Sequence, residues 1–202
     1  MVGSAGLVSP AIAEDKTLLR LHAVTVDLGN PERANLGTLE IGIERWATEE
    51  EREQLRDALI NKGSQALLSA LQKIKPRSGY IRTSISPDWD ILFAREVPTG
   101  EAARRIIIAT DRPLSFRERM SPPGYKFSLA EIRLTKEGTG VGKLVSAAKI
   151  SDNNRTRSVE IENYSNEPVR LTDVKVLGQR WRFSPVIRGM PLLRINDFLR
   201  FC

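Results

Sequence analysis

A chain of 202 residues with 41% hydrophobic and 28% charged residues has the balance of a globular domain large enough to bury a core without covalent staples. Its net charge of +6 is unevenly placed: residues 177–202 hold five arginines against Asp197 alone, so the rest is nearly balanced and a nucleic-acid footprint across it is not expected. One cysteine, Cys202, and one histidine, His22, exclude an intramolecular disulfide and a thiolate metal site, and no apolar run of about 20 residues is present to span a membrane as a helix.

Residues 1–15 stand apart from the fold. Gly6 to Ala13 is small and apolar, and Ala11-Ile12-Ala13 ahead of Glu14-Asp15 has the form of a small-x-small cleavage site. The basic start and longer apolar core of a complete export signal are missing, so the segment reads as a signal remnant or as a disordered terminus.

Thr17 to Leu28 reads as a strand. Leu19 and Leu21 share one parity, whereas Val24, Val26 and Leu28 share the other, which predicts a bulge near His22-Ala23. Leu39, Ile41 and Ile43 alternate with Glu40, Gly42 and Glu44, the pattern of a strand with one buried face. A helical segment follows from Thr48 to about Lys75. Thr48 and Glu51 form a T-x-x-E capping box, acidic residues crowd the first turn, and Pro76 ends the segment. Leu55, Leu59, Leu67, Leu71 and Ile74 recur on one stripe. Asn61-Lys62-Gly63-Ser64 reads as a stop and a restart, with Ser64 capping a second helix; the alternative is one continuous helix in which Gly63 allows close packing.

The chain then turns to short strands. Tyr80–Thr83 is followed by Trp89, Ile91, Phe93 and Val97 on one parity, with Asp90, Leu92 and Glu96 on the other. Arg104–Thr110 is apolar on both parities, as a strand covered on both faces would be. Residues 114–124 form a loop. Strands near 125–134, 141–150, 157–162 and 169–176, with turns every 8–12 residues, predict an antiparallel meander, and Leu171 and Val174 break the alternation as a second bulge would. The expected fold is α+β: a curled, largely antiparallel sheet of eight or nine strands, as an open barrel or two layers, with a helix or helical hairpin at about 48–75. The expected organisation is residues 1–15 outside the fold, one β-rich domain over 16–176, and a basic-aromatic tail over 177–202.

No catalytic motif emerges, and the catalytic residues are unknown. Gly138-Thr139-Gly140-Val141-Gly142-Lys143 lacks the first glycine and the Ser or Thr of a phosphate loop and reads as a hairpin turn. His22 has no second histidine or cysteine with which to hold a metal, and no G-x-S-x-G elbow is present, so no cofactor and no metal are expected. Asp88, Asp90 and Glu96 are the carboxylates a hydrolase would draw on. Arg82, Arg95 and Arg112 with Trp89 form the candidate ligand-binding set, because arginines on neighbouring strands can hold an anion bidentately.

GYIRT at 79–83, WDILFARE at 89–96, RRIIIATDRPLSF at 104–116, FSLAEIRLTKEGTGVGKL at 127–144 and VEIENYSNEPVRLTDVKV at 159–176 carry a resemblance. Together they resemble a group of uncharacterised exported bacterial proteins that bear signal peptides, are β-rich and have no established activity. The resemblance implies a periplasmic or secreted location, or a cytoplasmic one if Met1 is the true start with no signal upstream. It transfers no site residue, and the tail after Val176 departs from it. The expected function is a non-catalytic binding or interaction module of the cell envelope, with an unknown ligand or envelope protein as partner; a carboxylate-dependent hydrolase is the alternative.

Overall fold

The computed structural model describes residues 16–26, 37–83, 86–98, 104–114, 124–153, 158–163 and 168–179. Ten strands and two helices follow in the order β1 (Leu19–Val26), β2 (Gly37–Ile43), α1 (Glu49–Lys62), α2 (Ser64–Lys73), β3 (Gly79–Thr83), β4 (Ser86–Ile91), β5 (Phe93–Pro98), β6 (Arg104–Thr110), β7 (Phe127–Leu134), β8 (Thr139–Asn153), β9 (Ser158–Asn163) and β10 (Val169–Gln179). The chain is thus α+β, with every ladder antiparallel and the order β4-β3-β2-β1-β10-β8-β7-β6-β5; β9 pairs with β8.

Leu92 alone separates β4 from β5. The Ile91 carbonyl accepts from Ser78 N on the β3 side, whereas Leu92 N donates to the Ala109 carbonyl on the β6 side. β4 and β5 therefore act as one bent strand that joins the two ends of the sheet, and the result is a nearly closed barrel. The bend also explains a difference from the sequence pattern. Trp89 and Ile91 face the barrel interior, but Phe93 belongs to the outer core with Leu55 and Leu71, and Ala94 takes the inner position. One apparent apolar stripe is two stripes on opposite faces.

The interior is filled by Leu19, Leu21, Ile41, Ile43, Ile81, Ile91, Ile106, Ile108, Ile132 and their neighbours. The helical hairpin lies outside it. Leu55 and Leu59 of α1 and Leu67, Leu68 and Leu71 of α2 cover the outward face of Phe93, Ala109, Phe127, Leu129, Val145, Ala148 and Ile150. This is why β6 is apolar on both parities: Ile106 and Ile108 point inward, and Ile107 and Ala109 outward. Thr48 and Glu51 form the capping box, and Arg45 grips the same Glu51 carboxylate at 2.8 and 2.9 Å. Gly63, at φ +79° and ψ −173°, divides the helices in a conformation open only to glycine. Gly63 is itself the N-cap of α2 and offers no side-chain cap, so Ser64 is the first helical residue and not the cap the sequence implied.

The bulge between Leu171 and Val174 lies where the alternation broke, and Asp173 there has φ +48°. The irregularity between His22 and Val24 is also present, but its extra residue lies in β10. β1 runs without a break against β2, and Leu19, Leu21, Ala23 and Thr25 all point inward. The inward Thr25 hydroxyl is satisfied by the Gly37 carbonyl at 2.9 Å, so the buried polar residue hid the true parity. β10 continues to Gln179, which pairs with Leu19, so the strand runs three residues past the boundary read at Val176. The tail beyond it and the segment at residues 1–15 lie outside the described residues.

Two substitutions test this packing. Leu71→Ala should lower the unfolding free energy by about 2–5 kcal/mol in urea titrations, because Leu71 is buried between α2 and the sheet. Gly63→Ala should cost about 1–3 kcal/mol through backbone strain alone, because no atom lies within 4 Å of the added Cβ.

Candidate binding surface

Alternation around the barrel gives it two unlike outward faces. On β1 to β4 the outward residues are mostly polar, Val24 and Val26 at the end of β1 excepted. Register sets Glu40 beside Arg82 and Gly42 beside Tyr80, with Tyr80 in turn beside Asp90. The Tyr80 ring lies over Gly42, where a Cβ would come within 2.3 Å of ring carbons, so only glycine admits the ring. Tyr80 donates its hydroxyl to Glu40 Oε1 at 3.0 Å, and the Arg77 and Arg82 guanidinium carbons stand 5.7 and 5.1 Å from the ring centroid. Burial, then the Glu40 carboxylate, pushes the tyrosine pKa up.

Each carboxylate in this network is held by arginine. Arg82 Nε and Nη2 donate to Asp88 at 2.7 and 3.0 Å, which holds the Asp88 carboxyl below its ordinary range. Arg77 donates to both oxygens of Glu44 at 2.8 and 3.1 Å and to Asp90 at 2.7 Å. Glu96 is gripped by Arg104 on the inward parity near the opposite end of the barrel.

The four candidate ligand-binding residues do not share a face. Arg82 points outward, whereas Trp89, the register partner of the buried Ile81, packs against the barrel interior. Arg95 lies outward on β5, 3.6 Å from Glu49 at the start of α1. Arg95 lies seven steps along the bent strand from Asp88, Arg82's partner, a span of up to about 23 Å at the rise of a β-strand. Arg112 follows β6 and pairs with its neighbour Asp111 at 3.6 Å. Arg82 and Arg95 thus sit in separate ion pairs at distant points of the wall, and Arg112 in a third.

The helix-side face holds an arrangement that composition did not reveal. Register aligns three rows across β5, β6, β7 and β8. Phe93, Ala109, Leu129 and Val145 form an apolar row under the helices. Arg95, Ile107, Glu131 and Lys143 form the next. Val97, Arg105, Arg133 and Val141 form the third. A small apolar slot of about 20 Å³ lies over the first two rows, lined by Ile107, Leu129, Val145 and Ile161 with Glu131 and Lys143 at its polar rim. Arg105 is 3% exposed, and its Nε has no hydrogen-bond partner. Directly across from it, Arg133 is bonded through Nε to Glu131 Oε1 at 2.7 Å. None of the ion pairs among the described residues includes Arg105. The RR pair at 104–105 was visible in the sequence, but only the inward or outward parity of each arginine separates the paired one from the unpaired one.

Among the described residues, no group of three or more His, Cys, Asp or Glu side chains is placed to hold a metal, and no helix is long and apolar enough to cross a membrane. His22 sits on the outward parity of β1, beside Glu40 in the register. Gly138 to Lys143 forms the turn and first half of the β7–β8 hairpin, with Gly138 at φ +78°. No protein-family model, curated protein or solved structure matches the chain.

The lowered Asp88 pKa has a signed consequence. An ordinary Asp titrates near 3.8, and Asp88 does so lower in the folded chain, so its pair with Arg82 stabilises fully above that value. The stability is lost as pH falls through the folded pKa. Asp88→Asn should therefore flatten the acid limb of a stability-versus-pH curve below about pH 4 and leave the neutral-pH circular dichroism unchanged.

Proposed function

We propose that this chain is a non-catalytic binding or interaction module of the cell envelope, acting through the outer wall of the barrel. The observation that supports the reading most is the state of the carboxylates a hydrolase would use. Asp88, Asp90 and Glu96 are each engaged by an arginine, and Asp88 is held acidic. A general acid working near neutral pH needs the opposite, a raised pKa and a free proton-bearing oxygen. The barrel interior is packed with aliphatic side chains, which leaves the wall as the surface on which a ligand is met. The envelope location rests on Ala11-Ile12-Ala13 and on the resemblance to exported proteins.

Two measurements test the proposal. Purified protein should show no turnover of glycosides, esters or phosphate esters above blank; turnover that Asp90→Asn abolishes in a folded protein would replace the binding reading with the hydrolase. Expressed with its native upstream sequence, the mature protein recovered outside the cytoplasm should begin at Glu14. Recovery only from the cytoplasm with residues 1–13 intact would remove the envelope from the proposal.

A further inference from the structure

We propose that Arg105, with Arg133 across the strand, is a binding site for a carboxylate whose short apolar stem lies in the slot lined by Ile107, Leu129, Val145 and Ile161. The site extends the binding reading, and a chain that proved to be an enzyme could still possess it.

Three observations converge. The first is electrostatic. Arg105 and Arg133 face each other directly in the register on the outward parity, with Cβ atoms about 5 Å apart by strand geometry. Like charges so placed repel, and Arg105 is 3% exposed, so little water is available to screen it. Glu131, the acidic residue in these two rows, is bonded to Arg133 Nε. Glu49, at the start of α1, lies against Arg95. An anion between the two arginines would remove the repulsion.

The second is geometric. The unpartnered atom is Nε. The Nε edge of a guanidinium, with the adjacent Nη, presents two parallel N–H groups at the spacing of a carboxylate's two oxygens. Arg133 has spent its own Nε on Glu131 and has its Nη groups left for the rim of the same anion. The Arg133 side chain is 61% exposed, so a ligand can approach from solvent on that side.

The third is the slot. Ile107 follows Arg105 by two residues on the same face of β6, and Glu131 stands in the same relation to Arg133, so the slot borders the arginine pair. Its apolar lining would sit badly against phosphate, whose remaining oxygens need donors, and well against methylenes. The slot is small and its lining side chains are aliphatic, which suits a short apolar stem.

The test is a titration of the intact chain followed by the arginine Nε–Hε resonances, at an ionic strength held constant with chloride. The probes are acetate, butyrate and inorganic phosphate. The Arg105 resonance should move saturably with both carboxylates. Each buried methylene is worth about a factor of four, so butyrate, with two more than acetate, should reach half-saturation at a concentration about sixteenfold below acetate. Arg133→Gln changes an exposed side chain and should weaken butyrate at least threefold in a protein that still folds. Arg105→Met should abolish the effect; if that variant does not fold, the wild-type titration and Arg133→Gln decide the matter alone. The proposal is overturned if neither carboxylate moves the Arg105 resonance saturably, or if phosphate saturates it at a lower concentration than butyrate. The turnover assays above are independent of this readout, so the binding-module reading and the carboxylate site can fail separately.

Discussion

Ser78 takes part in four hydrogen bonds at the point where the barrel shuts. Its carbonyl accepts from Glu44 N and Arg45 N, its amide donates to the Ile91 carbonyl, and its hydroxyl donates to the Leu92 carbonyl at 3.1 Å. The residue is wholly buried, so each of these groups would otherwise lie away from water without a partner. Through them the end of β2, the approach to β3 and the β4–β5 bend are held together. Ala47 N donates to the Ala94 carbonyl just beyond, which ties the entry of α1 to the far side of the same bend. The helical hairpin therefore inherits its position from the closure, and so does the face it covers.

That closure explains why the outer wall is divided. Where α1 and α2 lie, the outward residues must be apolar, and Phe93, Ala109, Phe127 and Leu129 are. On and beside β2 to β4, Arg77, Arg82, Glu40, Glu44, Asp88 and Asp90 neutralise one another around Tyr80. Arg105 sits in the third of the rows aligned on the helix side, past the apolar row the helices cover. It is buried as a core residue would be and charged as a surface residue would be.

The parts of the fold legible in the sequence were those written in local chemistry. The capping box at Thr48, the break at Gly63 and the bulge before Val174 each depend on a few adjacent residues, and each stands where the pattern put it. What depended on distant strands was harder to read. Thr25 faces inward because a remote carbonyl satisfies it, and Phe93 changes sides because Ser78 bends the strand before it. The candidate site suffered most. Arg82, Arg95 and Arg112 looked alike as arginines on neighbouring strands, but Arg82 pairs across the β3–β4 hairpin, Arg95 with the start of α1 and Arg112 with its chain neighbour Asp111. Arg105 differs from them in its burial and in having no ion-pair partner among the described residues, which no local pattern encodes.

β1 completes the barrel wall by pairing with β10, so Leu19 meets Gln179 across nearly the whole length of the described chain. Among the described ladders this one has the largest sequence separation, the kind of pairing that forms slowly. While the polypeptide is being made, β2 can zip onto β1 early, and α1 and α2 can form as soon as they emerge, but the other edge of β1 waits until residues 169–179 exist. Any chain shorter than that carries an unpaired strand edge, a template for pairing with other chains. The last of the described strands to be synthesised is the one that locks the first, so the barrel wall stays open at β1 until nearly all of the described chain has been made.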